Sequence, residues 1–275
     1  MRETIYYDHQ AQEPRAVDIA LPAGAHAGPG VCLVHGGGWY AGSRARYREV
    51  QEWFVARGYP CATVGYRTDN ASRMAEKAED VALGYLTFAD VLETRGLSAP
   101  VLMGGSAGAH LVTMLTEAGP EPWAPHLTGR WRQPLGCIAV NGPGSLVEWD
   151  SARHEIDSLA KLVGAEFTGD LGAFRMITPE QYVVGGLPPI LVLLAEQEKI
   201  FPHRHVHAWV ELLREAGTQV DVHVIDGVEH GFLYGTTSDP QRRALDVVET
   251  YLNQLTGSAE AASTSHRSPV RPRHL

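Results

Sequence analysis

The chain is predicted to fold as an α/β protein with a mostly parallel central sheet, helices on both faces and a short cap insertion. Three observations carry this. Apolar runs of strand length alternate with stretches whose apolar residues recur at helical spacing, the pattern of parallel strands joined by crossover helices. Two of the strand-like runs end in glycine-rich turns, His35-Gly36-Gly37-Gly38-Trp39 after Val31–Val34 and Gly104-Gly105-Ser106-Ala107-Gly108 after Val101–Met103. The 275 residues, 44% of them hydrophobic, suffice for one sizeable core without disulfide or metal support.

Taken in order, Ile5–Tyr7 and Val17–Leu21 read as antiparallel edge strands, and Val31–Val34 as the first buried strand. Tyr47, Val50, Trp53, Phe54 and Val55 then recur at helical spacing. Pro60–Tyr66 supplies the next strand, and Met74–Glu93 a long helix with Val81, Tyr85, Leu86 and Phe88 on its core side. Val101–Met103 leads through the serine turn into the helix-like stretch Ala109–Leu115, and Leu135–Val140 is a further strand. Between Asn141 and Leu187 the pattern breaks into short mixed pieces, the expected cap. There Trp149, Ile156, Leu159, Leu162, Val163 and Phe167 are candidates for an apolar wall over Ser106, with a small helical cover as the alternative. Pro188–Leu194 reads as a proline-bounded strand followed by the polar loop Ala195–Pro202, a helix over Pro202–Ala216 and the alternating strand Val220–Ile225. A final helix over Pro240–Leu255 closes a catalytic domain of residues 1–256. Residues 257–275, rich in Ser, Ala, Pro and Arg, are expected to be a disordered tail.

Charge and composition narrow the function classes. A net charge of −9 speaks against a nucleic-acid surface. The polar start Met1-Arg2-Glu3-Thr4 lacks the apolar segment of a secretory signal, and no run approaches the length of a membrane helix. Cys32, Cys61 and Cys137 lie in or beside core-like runs without paired spacing, which points to a reducing compartment and no zinc site. The expectation is a soluble cytoplasmic protein acting on a small molecule, without cofactor or metal, and compatible with a homodimer. His203-Arg204-His205-Val206-His207 mimics a metal tract, but only His203 and His207 share a helical face; it reads as a solvated helix start.

The two glycine-rich turns carry the chemistry. Strand, sharp turn around Ser106 and helix, in that order, describe a nucleophile elbow, in which the serine hydroxyl is held exposed on a strained turn. At Gly104 and Gly108 a side chain would collide with neighbouring backbone. The run Gly36-Gly37-Gly38 leaves backbone N–H groups unshielded. Those of Gly37 and Gly38, with that of Ala107, are candidate donors to an oxyanion. A base is then required, and His230, on the loop Asp226–Phe232 after a strand, can reach a serine at the carboxyl end of the sheet. His110 competes but lies in the helix after Ser106. Glu198, just past the Pro188–Leu194 strand, is the candidate orienting acid, with Glu196 and Asp226 as alternatives if the loop is kinked. Trp39, Gly105, Trp149 and Phe232 complete a candidate pocket, and His35 is expected to fix the glycine loop by hydrogen bonding.

His35–Trp39, Gly104–His110 and Glu229-His230-Gly231-Phe232 together resemble the α/β-hydrolase superfamily, specifically its hormone-sensitive-lipase-like and acetyl-esterase-like branch, over about Val17 to Leu255. The resemblance implies a serine carboxylesterase with Ser106 as nucleophile, His230 as base and Glu198 where an aspartate is more usual; glutamate fills that place in some relatives. The short insert implies an open pocket and small acyl groups. Ser106–Leu111 is also similar to kynurenine formamidases, whose upstream motif usually carries tyrosine where this chain has Gly38, so formamide hydrolysis is the second reading. A third is a binding module that has lost catalysis.

Overall fold

The structure, a computed structural model, describes residues 1–7, 14–24, 26–146, 159–164 and 172–265. Its strands are β1 (Arg2–Tyr6), β2 (Ala16–Ala20), β3 (Val31–Val34), β4 (Cys61–Val64), β5 (Val101–Gly105), β6 (Cys137–Val140), β7 (Ile190–Gln197) and β8 (Val220–Glu229). They form one sheet in the order β1-β2-β4-β3-β5-β6-β7-β8. β1 pairs antiparallel with β2 and β2 antiparallel with β4; every other pairing is parallel. The long helices are α1 (Arg48–Ala56), α2 (Met74–Glu93), α3 (Ala107–Ala118), α4 (His203–Glu215) and α5 (Asp239–Ser265).

β3, β4, β5 and β6 are buried at every residue, which is why they read as unbroken apolar runs and not as alternating ones. Alternate side chains go to opposite faces. Val31 and Leu33 of β3, Val101 and Met103 of β5, and Ile138 of β6 meet Phe54 of α1 and Leu245, Val248 and Leu252 of α5. Cys32, Val34 and Leu102 face the other way, onto Val81 and Tyr85 of α2, Leu111 and Leu115 of α3, and Trp209 of α4. Cys32, Cys61 and Cys137 are buried and unpaired, and burial pushes all three thiols up. Among the described residues, no helix is long and apolar enough to cross a membrane.

Three expectations about the elements need correction. β7 continues through Glu196 and Gln197, and β8 through Asp226–Glu229, where polar loops are expected. The pairing shifts register here, from Ala195 opposite Ile225 to Gln197 opposite Glu229. The extra residues of β8 bulge out, with Gly227 at φ +75°. Polar and glycine residues at a sheet edge pass for a loop when read singly. The last helix does not stop near Leu255 but runs to Ser265 through Ala259, Glu260, Ala261 and Ala262, good helix formers that outweigh Gly257. The remainder of the expected tail lies outside the described residues. In the insert, Leu159 and Leu162 are buried in the main core, and Leu162 and Val163 border a separate hollow with Met74, Trp123 and Ile177, away from Ser106. Trp149, Ile156 and Phe167 lie outside the described residues.

Candidate active site

The serine turn sits where β5 gives way to α3. Ser106 has φ +56° and ψ −122°, a conformation that costs a non-glycine residue about 1–3 kcal/mol. Backbone bonds hold it: the Ser106 N–H donates to the Val140 carbonyl at 2.8 Å, and its own carbonyl accepts from His110 N–H at 3.1 Å. The flanking glycines leave no alternative. A Cβ on Gly108 would stand 2.1 Å from the Val34 oxygen, and one on Gly104 2.3 Å from the Gly108 oxygen, so β3, β5 and α3 approach this closely only without side chains there.

His230 follows directly on β8, and Glu198 directly on β7. The β8 bulge brings the two strand ends level. His230 Nε2 lies 2.7 Å from Ser106 Oγ, and His230 Nδ1 lies 2.7 Å from Glu198 Oε2. The Glu198 side chain is fully buried. Its second oxygen accepts the N–H groups of Ile200 at 2.7 Å and Phe201 at 3.2 Å, which fixes the carboxylate plane. Burial pushes the Glu198 carboxyl up. The hydrogen bond and charge of His230, with those two N–H groups, outweigh burial and hold the group below its ordinary value. The Phe201 ring packs edge-on against the imidazole at 5.6 Å. The alternative acids lie elsewhere: Glu196 is exposed and accepts from Gly227 N–H at 2.8 Å, and Asp226 is a strand residue of β8.

The glycine loop after β3 is held from below. His35 Nδ1 donates to the Gly36 carbonyl at 2.9 Å, as expected, and its ring stacks on Tyr66 at 4.4 Å. Burial lowers the His35 imidazole to about 4, so it stays neutral. Gly37 and Gly38 have φ of +128° and +57°. The N–H groups of Gly37, Gly38 and Ala107 have no partner among the described residues. Gly37 and Gly38 border, with Ser106 and His230, a cavity of about 250 Å³.

The remaining wall differs from expectation. It is made by Arg46, Ile200, Gly231 and Tyr234. Trp39 is instead buried, and its indole N–H donates to His110 Nδ1 at 3.1 Å. With Nδ1 accepting, His110 Nε2 donates to the Ile177 carbonyl at 2.6 Å. Burial lowers His110 to about 4, and both nitrogens are engaged away from Ser106. Phe232 packs against the α5 side of the core, its carbonyl accepting from Gln241. Gly105 lies beneath the site, where a Cβ would meet the Tyr47 and Tyr234 hydroxyls at 2.7 and 3.0 Å. Tyr234, missed in the sequence, accepts the Gly36 N–H at 2.9 Å. It stands four residues beyond His230, where Phe232 is the more conspicuous aromatic. His203, expected in solvent, bonds the Ala195 carbonyl at 3.0 Å and ties α4 to β7.

A hydroxyl, an imidazole and a buried carboxylate in line, beside unpartnered N–H groups, can generate a nucleophile and receive negative charge on oxygen. Among solved structures, the chain is similar to a thermophilic esterase of the planctomycete Thermogutta terrifontis. In its native form the TM-score is 0.75 at 22% identity, covering 92% of each chain. Bound to propionate it gives 0.76 at 22%, covering 92% of this chain and 94% of that one. Phosphonylated by sarin it gives 0.77 at 20%, covering 92% and 95%. The chain is also 27% identical over 228 residues to an ethyl acetate hydrolase of Pseudomonas putida, spanning 76% of this chain and 67% of that protein. The fold is therefore that of the α/β hydrolases, and the chain, matched by the family model over residues 17–213, belongs to the BD-FAE family.

Proposed function

We propose that this protein is a serine carboxylesterase that hydrolyses short-chain acyl esters of small molecules through an acyl-enzyme. The observation that carries the reading is the continuous chain from Ser106 Oγ through the His230 ring to Glu198, each link 2.7 Å. Ser106 Oγ attacks the ester carbonyl while His230 Nε2 takes its proton; the carbonyl π pair moves onto oxygen, where Gly37, Gly38 and Ala107 N–H groups receive it. As the tetrahedral species collapses, His230 returns that proton to the departing alcohol, leaving an ester on Ser106. Water, deprotonated by the same nitrogen, attacks this ester, and as the second tetrahedral species collapses His230 returns the proton to Ser106 Oγ and the acid leaves. Glu198 keeps the Nδ1 proton in place and stabilises the imidazolium form. The strained turn at Ser106 serves as a nucleophile elbow.

A cavity of about 250 Å³ suits a small acyl group. The similar Thermogutta esterase has been solved with propionate and with butyrate bound, and the Pseudomonas relative is named for ethyl acetate. The test is hydrolysis of p-nitrophenyl acetate and butyrate by the parent and by Ser106→Ala. The expected result is turnover by the parent and a fall to background in the variant. Equal rates in both would overturn Ser106, and no turnover by the parent would overturn the esterase reading.

A further inference from the structure

The cavity at Ser106 carries one cation that the proposed chemistry does not use. Arg46 borders it with its guanidinium 4.1 Å from the centroid of the Tyr234 ring, and Tyr234 is pinned to the glycine loop by the Gly36 N–H at 2.9 Å. The cation therefore rests on a platform fixed next to the reacting atoms. A Cβ built on Gly36 would lie 2.6 Å from the Tyr234 oxygen and 2.9 Å from Ser106 Cβ, so the two groups share one small space.

Arg46 has no acidic partner among the described residues. Its neighbour Arg44 pairs with Asp18 at 2.9 Å, whereas the Arg46 side chain makes no ion pair or hydrogen bond among the described residues. Among the described residues, no other one bordering the cavity is acidic or basic apart from His230, and Glu198 is turned onto Ile200 and Phe201 behind that ring. The mouth is thus positive on a chain whose net charge is −9. A guanidinium stacked on an aromatic face keeps its in-plane N–H fork free, and that fork matches a carboxylate.

We propose that Arg46 anchors an anion subsite, and that the preferred substrates are esters bearing a carboxylate, held by Arg46 while the ester carbonyl lies at Ser106. The inference rests on the esterase reading above. Two substrate pairs separate the acyl from the alcohol side: monoethyl succinate against ethyl butyrate, followed by pH-stat, and 4-acetoxybenzoate against its methyl ester. In one pair the parent is expected to favour the carboxylate member in kcat/KM. Arg46→Gln should cut that ratio about tenfold, the worth of a partly exposed charge-assisted hydrogen bond. Arg46→Lys should keep part of it, and Arg46→Glu should invert it. The preference should also shrink as salt is raised.

Turnover of the neutral esters with no preference in either pair, or a ratio unchanged in Arg46→Gln, overturns the subsite and leaves the esterase reading standing. Calorimetric titration of Ser106→Ala with succinate and with benzoate reads the subsite without chemistry. Binding that Arg46→Gln weakens about tenfold supports it, and no binding, or equal binding in both, refutes it.

Discussion

Glu198→Gln tests the proposed relay at its least forgiving point. The two carboxylate oxygens have opposite duties: one accepts the His230 Nδ1 proton at 2.7 Å, the other accepts two backbone N–H groups at 2.7 and 3.2 Å. A glutamine amide has only one acceptor oxygen. If that oxygen stays on Ile200 and Phe201, its NH2 faces His230 and forces Nδ1 to become an acceptor. The imidazole proton then moves to Nε2 and points at Ser106 Oγ, where a base cannot accept. If the amide flips, the NH2 abuts two N–H groups in a fully buried place. Either way the productive tautomer is lost, and kcat on p-nitrophenyl butyrate should fall roughly 10³- to 10⁴-fold with KM little changed. That is about 4–5.5 kcal/mol of barrier. Stability gives a second readout. The folded-state Glu198 pKa is held below its ordinary value, so its contribution to folding is complete above the unfolded glutamate range, about pH 4.3, and is lost as pH falls through the folded value. Denaturant melts of the parent should therefore lose stability there, and those of Glu198→Gln should lose less. Retention of more than a tenth of the parent kcat in a folded variant would refute the relay.

Two further substitutions probe groups that the mechanism does not touch. Trp39→Phe removes the indole donor to buried His110 and should lower stability in urea by about 1–3 kcal/mol without altering the acetate-to-butyrate preference; a changed preference would return Trp39 to the pocket wall. Glu117 is buried under the Trp209 indole N–H at 2.8 Å, and burial pushes its carboxyl well above the ordinary value. From the unfolded pKa upward to the raised folded one, the native state holds a proton that the unfolded chain has lost, so stability falls as pH rises. Glu117→Gln keeps the indole bond and should flatten that slope above about pH 4.5; an unchanged slope would place its origin elsewhere.

The sheet and the central residues of the site were legible because backbone geometry dictates their sequence. Only glycine permits the approach of Gly108 to Val34, so the turn around Ser106 announces itself, and fully buried strands leave continuous apolar runs. Glu198 was legible by its place after β7, although the polar residues before it turned out to be strand, because a bulge beside Gly227 has no periodic signature. The walls were not legible. Trp39 and Phe232 looked like pocket linings because they flank motifs, yet Trp39 is buried on His110 and Phe232 packs against the α5 side of the core. Arg46 and Tyr234, from segments far apart in sequence, meet at the cavity only through the packing of the α1 approach against the turn after β8.

His110 ties two regions that otherwise share no covalent neighbourhood. One ring nitrogen holds the indole of the glycine loop, the other the carbonyl of Ile177 at the far end of the insert, through bonds of 3.1 and 2.6 Å. The insert is therefore tied to the glycine loop whose N–H groups are proposed to receive the oxyanion. Swapping it for a longer one to admit bulkier esters requires that the Ile177 carbonyl return to the same spot. A graft that misplaces it by an ångström would enlarge the pocket and shift the glycine loop in the same stroke.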